Sequence, residues 1–378
     1  MNRWIISSLW TICLAWGGAF SQAQVARELC TTPPLVQRGP QFEPSGLLLT
    51  AFDASALWVY DIGRATRYPL PETRPCTSNC RLSPDGQWLT YPDPLTLAFT
   101  RMRVNGTQRS QVMVGATDLE WWAEGVWLAW TPDQRPFLQA DGSIDLLSRD
   151  YLRGSGLISV QPGGRWAVAL VADGRNSVAR ALLKTDDPAR PLVRLSADAP
   201  YFNGLAWSPD GQMLAYVGRG AQVNGISGAE LFIIRPDEVT PQQMTYFSAQ
   251  GAVRIGGLSA QGLAWSPDSA RLAFWAMPLT GPDPQTNVGA ASVYILDMAA
   301  RQLARYCGLT TDEHTPQPPR LVWSPDSRAL AFAVNIPNDN KGHLIVALDV
   351  ASGLFTELSE GVHPALGRPD IVAWGVVP

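Results

Sequence analysis

Leu205-Ala206-Trp207-Ser208-Pro209-Asp210-Gly211-Gln212-Met213-Leu214-Ala215-Tyr216 sets two short apolar runs on either side of a turn-forming tetrapeptide. Ser, Pro, Asp and Gly in that order suit a type I turn. Ser takes the first corner, Pro fixes φ at the second, and Gly takes the fourth. The flanking runs, rich in Leu, Trp, Met and Tyr, read as strands. Met213, Leu214, Ala215 and Tyr216 are apolar on both strand faces, which places that strand in a sheet packed between two neighbours.

The same stretch recurs. Leu263-Ala264-Trp265-Ser266-Pro267-Asp268 runs on to Leu272-Ala273-Phe274, and Leu321-Val322-Trp323-Ser324-Pro325-Asp326 runs on to Leu330-Ala331-Phe332. Ser269 and Ser327 stand where the first copy has Gly. Leu82-Ser83-Pro84-Asp85-Gly86 leads to Leu89-Thr90-Tyr91. Weaker copies surround Leu119-Glu120-Trp121, Val160-Gln161-Pro162-Gly163-Gly164 and Phe42-Glu43-Pro44-Ser45-Gly46, so units begin near residues 40, 80, 119, 158, 205, 263 and 321. Val372-Ala373-Trp374 repeats the first strand with no turn after it.

Further strand-like runs follow each turn unit, such as Leu57-Trp58-Val59-Tyr60 with Thr66-Arg67-Tyr68, and Ser292 to Leu296 with Arg301 to Leu303. Four strands per unit at this period predict an all-β chain, a β-propeller of four-stranded blades. Seven blades are expected, with six or eight as alternatives. The last strand, Val372-Ala373-Trp374, is expected to pair beside the strand after Phe42 and close the ring, removing the exposed edges of a linear array.

The 378-residue chain carries 29 Lys plus Arg, 33 Asp plus Glu and three His. Arg3 followed by the apolar run Trp4 to Phe20 and then Ser21-Gln22-Ala23 reads as a secretory signal peptide, residues 1–23, with an uncleaved membrane anchor as the alternative. Residues 24–39 form a tail and 40–378 a single propeller domain in this reading. Without Arg3 the balance is 28 basic against 33 acidic residues, a net −5. Only Lys184 and Lys341 are lysines and no basic run exists, which argues against nucleic-acid binding. No second apolar stretch is long enough to span a bilayer, so a secreted or periplasmic protein, expected to be a monomer, follows.

Cys30, Cys76, Cys80 and Cys307 remain after the leader, an even number that suggests disulfides in an exported chain. Three pairings are open; Cys76–Cys80 with Cys30–Cys307 is favoured. No CxxC pair or His-rich cluster supports zinc, so no metal or cofactor is expected.

Trp207-Ser208-Pro209-Asp210-Gly211, Trp265-Ser266-Pro267-Asp268 and Trp323-Ser324-Pro325-Asp326 resemble the repeat of TolB-like β-propellers, relatives of WD-repeat propellers, and the resemblance covers about residues 40 to 378. It implies an exported or periplasmic scaffold that binds proteins. Nothing before the propeller suits the separate amino-terminal α/β domain of TolB itself, so a TolB role in envelope assembly is not expected.

Strand order then locates a site. The Ser-Pro-Asp-Gly turns share one face with the third-to-fourth connections; second-to-third and blade-to-blade connections share the other. On that second face long connections collect in the last three blades: 218–228, 277–290 and 335–342 within blades, and 248–262, 308–320 and 360–370 between them. Insertions gathered on one face of a repeat protein mark a binding surface. The candidate binding residues there are Arg219, Arg254, Asp312, Glu313, His314, Asp339, Asn340 and His343. The two arginines would pair with carboxylates of a partner. Asp85, Asp210, Asp268 and Asp326 each sit in their own turn and read as structural, and the recurrent Trp207, Trp265, Trp323 and Trp374 read as packing between blades. Catalytic residues are not assigned: no G-x-S-x-G elbow and no H-E-x-x-H motif occurs. The expected function is a non-catalytic scaffold binding a protein, peptide or glycan. The alternative is a hydrolase or lyase using carboxylates in the central channel.

Overall fold

The computed structural model describes residues 26–378 apart from 32–34, 36–41, 52–54, 77–78, 94, 97, 124–125, 131–135, 141–142, 146–156, 163, 173–177, 185–192, 196–203, 237, 239, 257–261, 285, 312–317, 336–342 and 363–369. Seven sheets form among these residues, six of four strands and one of six. From the first sheet to the seventh the innermost strands are Asp370–Gly375, Arg81–Leu82, Asp118–Ala123, Leu157–Val160, Leu205–Trp207, Leu263–Trp265 and Val322–Trp323. Each pairs with the next strand of its unit across the predicted turn, except in the first sheet, where the closing strand is supplied by the other end of the described chain. There Asp370–Gly375 pairs antiparallel with Leu47–Ala51, putting Trp374 opposite Leu48.

The cores lie between sheets rather than inside one. Among the described residues seven apolar clusters occur, each shared by two neighbouring sheets. One of them joins the last sheet to the first, through Ala329, Ala331 and Ala333 against Leu48, Tyr60 and Trp374. The arrangement is a closed β-propeller, with the strand pairing at the join that the sequence predicts.

Strand Ala329–Asn335 shows how residue alternation builds the ring. Leu330, Phe332 and Val334 face the sixth sheet, while Ala329, Ala331 and Ala333 face the first. Successive side chains on a strand point to opposite faces. One face therefore brings bulk and the other leaves room for Trp374 and Tyr60. Strand Arg271–Pro278 alternates likewise, with Leu272, Phe274 and Ala276 toward the fifth sheet and Ala273, Trp275 and Met277 toward the seventh.

The sixth sheet gains two strands. Val253–Ile255 pairs with the far end of Arg271–Pro278, in line with the inner strand Leu263–Trp265. On the outer edge Arg27–Leu29, from the segment read as a tail, pairs parallel with Gln302–Thr311. The Cys30–Cys307 disulfide fastens that strand, with a Cα–Cα distance of 4.7 Å. Cys76–Cys80 closes the second bridge at 5.7 Å. Both favoured pairings form. Among the described residues no helix is long and apolar enough to cross a membrane.

Candidate functional site

On the turn face the carboxylates of the Ser-Pro-Asp turns are hydrogen-bonded within their own turns. In the fifth sheet Gly211 N–H donates to the Ser208 carbonyl at 2.8 Å, and the Ser208 hydroxyl donates to Asp210 Oδ1 at 2.5 Å. Asp210 Oδ1 also accepts from Gln212 N–H, and Met213 N–H donates to Ser208 Oγ. The same brace recurs at Asp85, Asp268 and Asp326. These carboxylates satisfy backbone donors of their own turns, as the sequence reading has it.

Two of the recurrent tryptophans bond to the sheet before their own, and Trp374 bonds to the segment leading into its own sheet. Trp265 Nε1 donates to the Ala206 carbonyl at 3.0 Å, Trp323 Nε1 to that of Ala264 at 2.8 Å, and Trp374 Nε1 to that of Ser45 at 2.9 Å. Trp207 Nε1 is buried without such a partner; the sheet before it carries one of the weaker repeats.

On the opposite face the structure changes one expectation. Residues 218–228 form no loop: strands Leu214–Val223 and Ile226–Ile234 continue as one long hairpin, turned at Asn224 and Gly225 with φ of 51° and 79°. Asn-Gly with both φ positive is the two-residue turn whose twist matches a hairpin, and that dipeptide was the signal in the sequence. The connection 248–262 contains the strand Val253–Ile255. Segment 277–290 is a loop folded on itself, with Thr280 N–H donating to Asn287 O and Gly289 N–H to Pro278 O.

Three of these segments converge on Arg254. Its strand pairs with Arg271–Pro278, Arg254 standing opposite Met277. The long hairpin lies against it closely enough that a Cβ on Gly228 would come within 3.0 Å of Val253 N. The loop covers it: Arg254 Nη1 donates to the Pro284 carbonyl at 2.8 Å. The side chain is fully buried, and among the described residues its Nε and Nη2 have no partner. Burial pulls its pKa below the ordinary arginine value, with no neighbouring charge contributing.

A buried carboxylate lies on the same hairpin and is spent elsewhere. Glu230 Oε2 accepts from the Thr245 hydroxyl at 2.6 Å and from Phe247 N–H at 3.0 Å, and Oε1 accepts from Ser248 N–H at 2.8 Å. It fixes the short 3₁₀ turn Phe247–Ala249 that leads into the arginine strand.

The remaining candidates are placed as follows. Arg219 is exposed on the long hairpin, opposite Ala229. His343 begins the strand His343–Asp349, paired with Asn335 and Val362. Asp312, Glu313, His314, Asp339 and Asn340 lie outside the described residues. Sequence reasoning did not anticipate a cleft of about 440 Å³ on the turn face at the ring join, lined by Phe42, Asp326, Arg328, Asp349 and Trp374 among others. A second, of about 320 Å³, lies between the sixth and seventh sheets, where Arg27, Arg271 and Tyr306 meet. Both belong to the turn side, away from Arg254.

Antiparallel sheets ringed by inter-sheet cores, joined through recurrent Trp-Ser-Pro-Asp units, decide the architecture. In fold, the chain is a β-propeller. No protein-family model matches this propeller's sequence, and neither does any curated protein sequence. Solved structures similar to the propeller include a putative TolB from Agrobacterium tumefaciens, 14% identical, covering 83% of this chain and 89% of that one with a TM-score of 0.40. TolB from Acinetobacter baumannii is 12% identical over 87% of this chain and 82% of its own, also at 0.40. An oligogalacturonate lyase from Vibrio parahaemolyticus is 9% identical over 84% and 87%, at 0.49.

Proposed function

We propose that the chain is an exported, non-catalytic propeller that binds a protein, peptide or glycan through the face opposite its Ser-Pro-Asp-Gly turns. The observation that carries this reading is the convergence of the 214–234 hairpin, the 248–262 connection and the 277–290 loop around one buried arginine. Turn-face carboxylates are taken up by their own backbone, whereas this face carries elaborated segments and a buried arginine. Export is supported by two disulfides, which persist in oxidising compartments, and by the leader-like segment 1–23.

A pull-down from the host's envelope and medium, using protein from Gln24 onward, tests the reading. The comparison protein carries Ala at Asp312, Glu313, His314, Asp339 and His343. A saturable partner held by the native protein and lost by the comparison protein is the expected result. A partner held equally by both, or none in either, overturns it.

A further inference from the structure

The cleft of about 320 Å³ on the turn side opens where the seam between the sixth and seventh sheets turns from apolar to charged. On the face that the sixth sheet presents to the seventh, one cross-strand row holds Trp275, Val293, Tyr306 and Leu29. The next row toward the turns holds Ala273, Ile295, Ala304 and Arg27, and the last holds Arg271, Asp297 and Gln302. Residues two apart on a strand share a face. Arg27 and Arg271 therefore point where Leu29 and Ala273 point, into the seam. Glu28, between Arg27 and Leu29, takes the other side and pairs with Arg305 at 3.1 Å.

A third arginine comes from across the seam. Arg328 follows the turn of the seventh sheet and lines the same cleft. Arg271 Nη1 donates to the Ser327 carbonyl at 3.0 Å, which carries its guanidinium toward that turn. Burial pushes the Tyr306 phenol up to about 12, while the charges of Arg271 and Arg27 both act on it in the opposite direction. Two carboxylates also line the cleft, and each is engaged by its own turn. Asp297 Oδ1 accepts from Ala300 N–H at 2.8 Å, and Asp349 Oδ2 accepts from the Ser352 hydroxyl at 2.5 Å. Three guanidiniums against two carboxylates make the cleft positive in a chain whose overall balance is acidic.

We propose that this cleft binds the tetrahedral oxyanion of a phosphate or sulfate ester, with Arg27, Arg271 and Arg328 as its donors. Guanidinium forks meet oxyanions with paired N–H groups. A carboxylate offers two oxygens in one plane and suits a single fork. An ester oxyanion offers three oxygens in three directions, matching guanidiniums that arrive from the tail strand, from Arg271–Pro278 and from the turn of the neighbouring sheet. Arg27 and Arg328 are exposed and Arg271 half-buried, so a ligand reaches them from solvent. The site lies on the side away from Arg254 and stands independently of the function proposed above.

The test is isothermal titration calorimetry on protein from Gln24 onward, at neutral pH and matched ionic strength. Glycerol phosphate, glycerol sulfate and glycerate serve as probes, since they share a polyol arm and differ in the anion. Saturable binding of at least one ester, at least about tenfold tighter than glycerate, is expected. Binding of the phosphate alone identifies a phosphate ester, and binding of the sulfate alone a sulfate ester. Arg27→Gln and Arg328→Gln, both at exposed positions, should each weaken that binding at least about fivefold. Arg64→Gln, at an exposed arginine of the first sheet, should leave it unchanged. The native protein with the three probes decides the anion without any variant. No saturable binding of either ester overturns the proposal, as does glycerate binding within that tenfold margin. Unchanged affinity in Arg27→Gln or Arg328→Gln, or an equal loss in Arg64→Gln, overturns it too.

Discussion

The backbone N–H of Asp268 donates to the hydroxyl of Ser327, 3.2 Å away in the next repeat. The Ser327 hydroxyl thus ties two consecutive turns together, and Ser269 does the same one repeat earlier for Asp210 N–H at 3.1 Å. Both serines replace the turn glycine and both adopt φ near 60°, 58° at Ser269 and 60° at Ser327. A side chain in that conformation is strained by about 1–2 kcal/mol, and the hydroxyl returns part of it as an inter-sheet bond worth about 1 kcal/mol. Ser327→Gly, which relieves strain while losing the bond, should be near neutral. Ser327→Ala keeps the strain and loses the bond, and should cost about 1 kcal/mol. Equal urea midpoints for the two variants would refute this division.

Glycine is obligatory at the equivalent place in the fifth sheet. Gly211 has φ +69°, and a Cβ there would sit 2.4 Å from the Pro162 carbonyl oxygen. Gly115 has φ +81° with nothing within 4 Å. Gly211→Ala should therefore cost clearly more than Gly115→Ala, which pays only the conformational strain of about 1 kcal/mol. Thermal unfolding of the pair decides it, and equal losses would contradict the close approach.

Acid should act on the turns. Burial alone pushes the Asp268 carboxyl up, yet the Ser266 hydroxyl, the Ala270 N–H, the Arg271 charge and Ser327 together hold it below its ordinary value. A depressed carboxylate stabilises the folded state above its unfolded pKa of about 3.9 and loses that contribution as pH falls through the folded value. Asp268→Asn should thus be less stable than the native chain at pH 7, with the two curves converging below about pH 4. Parallel stability curves between neutral and acid pH would count against it.

The two disulfides should differ in weight. Cys30–Cys307 spans 277 residues and Cys76–Cys80 spans 4. Longer closed loops lose more unfolded-state entropy. Removing the first, as Cys30→Ser with Cys307→Ser, should cost about 2–4 kcal/mol and release Arg27–Leu29 to proteases. Removing the second should cost less. The reverse order in denaturant titrations would sink the argument.

Much of this was legible in the sequence because the repeat is local chemistry. Ser208-Pro209-Asp210-Gly211 specifies its own turn, and Trp374 announced the closing strand through its match to Trp207, Trp265 and Trp323. What escaped was set by contacts distant along the chain. Arg254 lies in a three-residue strand with no counterpart in the repeat, and its burial comes from Pro284 and from the hairpin at Gly228. Arg27–Leu29 is likewise too short to carry a periodic signal, and its place depends on Cys307. A solvent-facing reading of Arg254 was natural for an arginine next to glycines; only the covering loop reverses it.

The strand Asp370–Gly375 closes the first sheet from more than three hundred residues downstream. During synthesis the segment 47–69 emerges early, but its inner edge stays open until residues 370–375 have followed. The Cys30–Cys307 bridge waits in the same way for an oxidising environment and for the sixth sheet. A chain so ordered becomes a ring only once its last strand has been made.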